Sequence, residues 1–547
     1  MPASLIASKR RLGWWKPGAE RLAVETASMQ EALRGIGHPL HVVDAGKTQA
    51  LVLGGEATIG GEQSDKALPL LGTAPAVSLS DLGDPSFCDD HKIRYAYVAG
   101  AMANGIASVE LVVAMAKAGC LGFFGSAGLP PERVSQAIDR LQKELGDQAF
   151  GINFIHSPAE AGLEEKLADL LLEKGVHLVE ASAFLDLTPA IVRYRLTGIH
   201  KDGEGRAVTP NNIVAKISRV EVAEKFLSPA PERMLAELVQ AGHLTAEQAE
   251  LAKQVPLAQD VTVESDSGGH TDNRPLVTLL PTMIALRDRI QAEQKYPRAP
   301  RIGAAGGIST PASAAAAFSM GAAYIVTGSV NQSCRESGTS DFVREMLAQA
   351  QQADTAMAPA ADMFEMGVKV QVLKRGTMFP MRAQKFYDLY RSYPSFDAVP
   401  ANERARLERS VLKATFDEAW ASTRAFFEKR DPTQIPKAEK DPKHKMALVF
   451  RGYLGQASKW ANSGLPERRV DYQVWCGPAM GAFNEWARGT FLEDWQNRYA
   501  GEVAHNILFG AAVQTRINTL RAQAVRLPAE VQRLVPLKAA RLEEHLS

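Results

Sequence analysis

Cysteine is scarce in this chain. Four occur among 547 residues, Cys88, Cys120, Cys334 and Cys476, far apart and with no C-x-x-C pair. That excludes a disulfide framework and a cysteine-held zinc site, no metal is expected, and a reducing cytoplasm is the expected location. Neither sign of charge is in excess, with Lys+Arg and Asp+Glu at 62 each, so nothing global draws the chain to nucleic acid or an anionic membrane. No apolar run reaches membrane-spanning length. The start, MPASLIASKRRLGWWKPG, has no long apolar stretch after its basic residues and does not read as a secretory signal. A strand-linked G-x-G-x-x-G and a G-x-x-x-x-G-K-[ST] are both missing, which disfavours a Rossmann dinucleotide and a P-loop ATP.

What is present is an ordinary globular composition, 46% hydrophobic and 23% charged, at a length that implies more than one domain. Residues 1–88 mix short strand-like segments with glycine turns and read as an N-terminal cap or small domain. From about 89 to 345, eight short apolar runs alternate with longer helical stretches: YAYVAG at 95–100, CLGFFG at 120–125, FGINFI at 150–155, VHLVEA at 176–181, IVAKIS at 213–218, DVTVES at 260–265, RIGAAGG at 301–307 and AAYIVTG at 322–328. The helices have start signals: Ser157, Pro158 and Glu160 in SPAE, Thr245 and Gln248 in TAEQ, and Thr310 before Pro311. Apolar strands joined by helices predict a parallel sheet covered on both faces. Eight of them predict an α/β TIM (β/α)8 barrel, with an open doubly wound sheet as the alternative. A hairpin or loop is expected between the fourth and fifth strands, and a helical insertion at about 221–258. Beyond 345 the rhythm stops, and 346–547 reads as a mostly helical C-terminal region.

In a barrel the loops after the strands form the active face. ESDSGGHTDNRP follows the sixth strand. Gly268 and Gly269 permit close approach of backbone to a flat ligand, His270 is a candidate proton carrier, and Asp266 and Asp272 are candidates to orient it. A polar, self-capping turn is the alternative reading of the same residues. After the seventh strand, Gly306, Gly307 and Ile308 can turn backbone N–H groups on a phosphate. After the eighth, Gly328 can do the same and Ser329 adds a hydroxyl, with helix N-termini expected behind both loops. Phosphate held between these two strands is a recurrent barrel arrangement. Flavin mononucleotide (FMN) suits such a site, having one terminal phosphate and a broad ring. Gly100, Ala101 and Met102 after the first strand offer packing for the ring, Asn153 an amide, and Lys216 a cation. Arg219 reads equally as a contact or as a surface residue.

These residues sit inside longer signatures: RYAYVAGAMANGIAS, NNIVAKISRVEVAEKF, TVESDSGGHTDNRPL, RIGAAGGISTP, MGAAYIVTGSVNQSC, MAPAADMFEMGVKVQVLKRGTMFP and DYQVWCGPAMGAFN. Through them the chain resembles the superfamily of flavin-dependent nitronate monooxygenases and FMN enoyl reductases. Within it the chain is most similar to the PfaD family, stand-alone enoyl reductases serving polyunsaturated fatty acid and polyketide synthases. The resemblance implies FMN, NADPH as reductant, and an enoyl thioester on an acyl carrier protein as substrate. It implies that Gly306, Gly307, Gly328 and Ser329 hold the phosphate and that Asn153 and Gly269–His270 lie by the flavin. On the reading of the residues themselves, His270, Asp266 and Lys216 are the catalytic candidates. Lys374 and Arg375 are candidates to steer a carrier protein or the phosphate of its arm, with a solvated basic turn as the alternative. A nitronate monooxygenase, a non-catalytic component of a synthase and a phosphate-binding aldolase or isomerase barrel are the competing readings. A homo-oligomer is compatible with the sequence but not indicated by it.

Overall fold

The structure, a computed structural model, describes residues 5, 11–158 and 161–546. Eight strands, β1 (Tyr97–Ala99), β2 (Leu121–Phe124), β3 (Gly151–Ile155), β4 (Leu178–Ser182), β5 (Asn212–Ile217), β6 (Asp260–Glu264), β7 (Arg301–Ala305) and β8 (Ile325–Thr327), pair in parallel and close into a barrel. Each coincides with one of the eight apolar runs to within three residues at its ends. Their residues are almost all buried because side chains fill the barrel inside and helices cover it outside. Inside, large faces small. Phe123 occupies the space a side chain at Gly151 would need, a Cβ there falling 2.2 Å from its ring, and Tyr324 does the same opposite Gly303 at 2.3 Å.

The lower mouth is plugged by the helix Pro85–His91, capped by Asp84. Its Phe87 stacks on Tyr324 with ring centres 4.0 Å apart. At this end Asp260, fully buried, receives Arg301 Nε at 2.6 Å, Arg301 Nη2 at 3.0 Å and pairs with His91 Nε2 at 2.9 Å. Burial alone would raise the Asp260 pKa, but His91 and Arg301 outweigh it and hold it below the ordinary range. The expected division at residue 88 thus runs through a helix bonded to the barrel floor.

Helices α1 (Val109–Lys117), α2 (Pro131–Leu145), α3 (Ala161–Glu173), α4 (Pro189–Leu196), α5 (Val220–Leu227), α6 (Leu276–Gln294) and α7 (Pro311–Ser319) each follow the strand of the same number. Thr310 caps α7 reciprocally with Ser313, and Thr245 with Gln248 caps the inserted helix Ala246–Ala252. The start expected around Ser157 differs: α3 begins at Ala161, the Ser157 N–H donates to Glu164 Oε1 at 2.8 Å, and Glu160 lies outside the described residues. A hairpin, His200–Lys201 with Ala207–Val208, stands between β4 and β5, and the helices Glu232–Gln240 and Ala246–Ala252 extend the β5–β6 connection.

After β8 only a single turn, Ser329–Gln332, follows directly. The missing eighth helix comes from far along the chain. α10 (Ala500–Ala522) lies against both α7 and α1. Its Gly510 rests on Pro311, where a Cβ would fall 2.4 Å from the ring carbon Cγ, and His505 Nε2 meets the Ala118 carbonyl at 2.8 Å. The same helix ties in the N-terminal sheet, an antiparallel set in the order Gln49–Leu53, Leu40–Asp44, Leu68–Ala74, Gly13–Lys16, Glu56–Ile59. Arg516, with none of its surface exposed, donates to the carbonyls of Leu33, Gly35 and His38 at 3.2, 2.8 and 2.9 Å.

The region beyond 345 is not helix alone. β9 (Thr355–Pro359) and β10 (Lys369–Leu373) form an antiparallel pair, and β10 also pairs with the two-residue strand Gly269–His270. Helices α8 (Phe416–Arg430) and α9 (Pro442–Ser463) pack beside this sheet around an aromatic core that includes Phe386 stacked on Phe450 at 4.3 Å. The assembly roofs the upper mouth of the barrel. Among the described residues no helix is long and apolar enough to cross a membrane.

Candidate active site

Between the barrel's upper mouth and the roof lies a cavity of about 830 Å3. Gly100, Ala101, Met102, Asn153, Lys216, Asp266, Gly269, His270, Gly306, Gly307, Ile308, Gly328 and Ser329 all line it. Residues chosen one by one from six different strand ends are therefore brought together round a single space.

The phosphate candidates are built as the β7 and β8 loops. Gly306 and Gly307 have φ of 83° and 70°, a conformation that suits glycine. A Cβ at Gly307 or Gly328 would meet nothing within 4 Å, so both backbones border open space. Among the described residues the N–H groups of Gly306, Gly307 and Gly328 take no protein acceptor. Unpaired donors round a cavity suit an anion. The Ser329 hydroxyl accepts from the Gly477 N–H at 3.1 Å, which leaves its own proton to give. Behind Gly306–Gly307 stands the nine-residue α7, and Gly328 is the N-cap of a shorter, one-turn helix, Ser329–Gln332, so a helix N-terminus backs each loop.

A belt of polar side chains crosses the barrel's upper interior on four strands: Asn153, Glu180, Lys216 and Glu264. Asn153 Nδ2 is used up on Ser182 Oγ at 2.6 Å and the Glu180 carbonyl at 3.2 Å, leaving its Oδ1 for a ligand. Lys216 Nζ pairs with Glu264 Oε1 at 3.3 Å. Burial works to discharge Lys216, but the carboxylates of Glu264 and Glu180 outweigh it and raise its pKa above the usual lysine value. Glu180 is fully buried. Its Oε2 accepts the Ala101 N–H at 3.1 Å and its Oε1 has no partner. Burial pushes its pKa up, opposed by Lys216. Glu180 and Glu264 were not singled out from the sequence. Their signal was an acidic residue at the C-terminal end of an otherwise apolar strand, in VHLVEA and DVTVES.

The histidine loop differs from expectation in its partners. Asp266 accepts from Asn273 Nδ2 at 2.8 Å and Gln371 Nε2 at 2.7 Å. Asp272 accepts from Ser218 Oγ at 2.7 Å and Arg219 Nε at 3.1 Å. Neither orients His270. They fix the loop, and Arg219 serves as a clasp between the β5 and β6 loops. The ring's carboxylate is Asp362, whose Oδ1 lies 3.2 Å from His270 Nε2. Burial opposes the charged ring, but Asp362, with Glu264 further off, raises the His270 pKa above the ordinary histidine value. Gly268 too has a different reason from the one expected. A Cβ there would fall 2.9 Å from the Cys476 backbone nitrogen, so the residue is small to admit the chain's own C-terminal segment, whereas a Cβ at Gly269 would meet nothing within 4 Å. Lys374 and Arg375 do not line the cavity. Arg375 Nη1 pairs loosely with Asp354 at 3.6 Å.

Comparison with known proteins agrees with this geometry. The nitronate monooxygenase family matches residues 85–387, and the inserted helical domain of [acyl-carrier-protein] S-malonyltransferase matches 393–472. One component of the polyunsaturated fatty acid synthase of Thraustochytrium sp. is 51% identical over 81% of this chain and 30% of its own length. The polyketide biosynthesis protein PksE of Bacillus subtilis is 47% identical over 80% of this chain and 57% of its own. The chain thus spans about a third to just over half of these relatives. The crystal structure of the enoyl reductase domain of MlnA, from the macrolactin cluster of Bacillus amyloliquefaciens, superimposes with a TM-score of 0.77 at 42% identity, covering 81% of this chain and all of that one. From the barrel, the family match and the relatives together, the chain belongs to the PfaD family, within the nitronate monooxygenase-like superfamily of FMN barrels.

Proposed function

We propose that this protein is an FMN-dependent enoyl reductase that uses NADPH to saturate the α,β double bond of enoyl thioesters on an acyl carrier protein, in polyketide or polyunsaturated fatty acid synthesis. The observation that carries the reading is one cavity with unpaired amides at Gly306, Gly307 and Gly328 on one side and the His270–Asp362 pair on another. The enoyl reductase domain at 42% identity supports it.

FMN, when bound, supplies the hydride relay between nicotinamide and the enoyl β-carbon. Gly306, Gly307, Gly328 and Ser329 would hold its phosphate, and Asn153 Oδ1, Lys216 and the Gly100–Met102 loop would border the ring. His270, whose pKa Asp362 raises, offers an N–H to the thioester oxygen as negative charge develops there. Lys216 and Glu264 keep a fixed, compensated charge at the barrel's upper end. The roof keeps water from the reacting carbons.

An anaerobic assay with FMN, NADPH and crotonyl-acyl carrier protein tests the reading. One NADPH should be consumed per thioester saturated. His270→Ala should keep its flavin spectrum and lose about a hundredfold in thioester reduction. Oxygen-dependent oxidation of a nitronate with no need of NADPH, and no thioester reduction, would instead make the protein a nitronate monooxygenase.

A further inference from the structure

The cavity does not stop above the barrel. It continues along a groove between α8 and α9, where Ala419, Ser422 and Phe426 on one helix face Gly452, Gly455 and Lys459 on the other. The spacings of three and four residues put each set on one helical face. A Cβ at Gly455 would meet nothing within 4 Å, while one at Gly452 would sit 3.0 Å from Thr423 Oγ1. The helices therefore touch at one depth and leave a slot of open space at the other.

Towards the C-terminal ends of the two helices the slot acquires charge. The Lys459 ammonium and the Arg430 guanidinium each stand 5.5 Å from the centre of the Phe426 ring, and all three residues are exposed. Among the described residues no carboxylate pairs with Lys459. Partial desolvation of the ammonium and the nearby charge of Arg430 lower its pKa. The one carboxylate that the α8 start brings to the slot, Glu418, is spent on the helix cap, accepting from the Thr415 N–H at 2.8 Å.

We propose that this slot is the path of a phosphopantetheine arm and that Lys459, beside Arg430 and Phe426, binds the arm's phosphate. The inference rests on the enoyl reductase reading and replaces Lys374 and Arg375 as the anchor for that phosphate. A slender, flexible, amide-bearing chain with one phosphate at its protein end matches a slot with small residues along its length and a cation at one end.

The test compares crotonyl-phosphopantetheine with crotonyl-pantetheine, which lacks the phosphate, on the FMN-loaded enzyme. The wild type should show the lower KM for the phosphorylated thioester. Lys459→Ala should raise that KM roughly tenfold and abolish the preference, and Lys459→Arg should retain most of it. Gly455→Leu, which fills the slot, should raise KM for both thioesters. The proposal is overturned if Lys459→Ala leaves the preference intact, if its effect falls on the KM for NADPH instead, or if Gly455→Leu changes neither thioester's KM. A wild type that reduces neither thioester would sink the enoyl reductase reading itself, an outcome distinct from the other three.

Discussion

His270 draws its raised pKa from a residue 92 positions further along the chain. The ring would titrate lower in this partly enclosed place without Asp362, whose carboxylate raises its pKa, so the protonated form persists above the pH at which a free histidine loses it. The sign of a perturbation follows. Asp362→Asn should lower the His270 pKa, so that the alkaline fall in kcat/KM begins at lower pH, while activity well below neutrality changes least. A pH profile of thioester reduction for the two proteins checks this, and an unshifted alkaline limb would separate His270 from the proton requirement. That His270, Asn153 and the glycines after β7 and β8 would gather round one cavity was legible in the sequence because their motifs are local. Asp362 was not, since nothing short-range joins MAPAADMF to GGHTDN. For the same reason Asp266 and Asp272 were credited with a task they do not perform: they are nearest in sequence, but Gln371, Ser218 and Arg219 engage them first.

The elements divide in the same way. All eight barrel strands could be read from apolar runs, because burial on both faces leaves continuous hydrophobic segments. β9 and β10 were missed. TAMAP and KVQVL are short, and they become a sheet only by pairing with each other and with Gly269–His270. α10 fell within a region read only as mostly helical and was not placed as the barrel's eighth helix, because apolar residues occur all round it and its contacts lie with α7 and α1, formed much earlier in the sequence. Gly510 is where that docking is tightest. Gly510→Leu should force α10 off Pro311 and destabilise the protein by about 1–3 kcal/mol, measurable as a lower midpoint in denaturant with the helical circular dichroism signal retained beforehand. A midpoint equal to the wild type's would mean that α10 does not close the barrel wall.

At the scale of the whole molecule, one apolar core runs from the N-terminal sheet through the barrel's outer layer to α10, and a second lies in the roof. The N-terminal sheet is thereby bound to the last third of the chain, with Arg516 as the clasp. Arg516→Leu strips three backbone carbonyls of their donor, at a cost of about 1–3 kcal/mol. It should speed hydrogen exchange across residues 33–74 while leaving flavin absorbance unchanged. Exchange that rises uniformly over the barrel instead would mean that the sheet has no unfolding unit of its own. The roof's separate core fits its separate family match at 393–472, and the cavity lies where the two cores meet.

The distant origin of α10 has a consequence for biosynthesis. A ribosome releases α1 and α7 with the seam between them still bare, and must make some 180 further residues before the sealing helix emerges. A nascent chain therefore passes through a stage with an exposed greasy furrow, and slower elongation prolongs that stage. Soluble yield should depend on chaperone supply and growth temperature more steeply than for a barrel whose eighth helix follows its eighth strand at once.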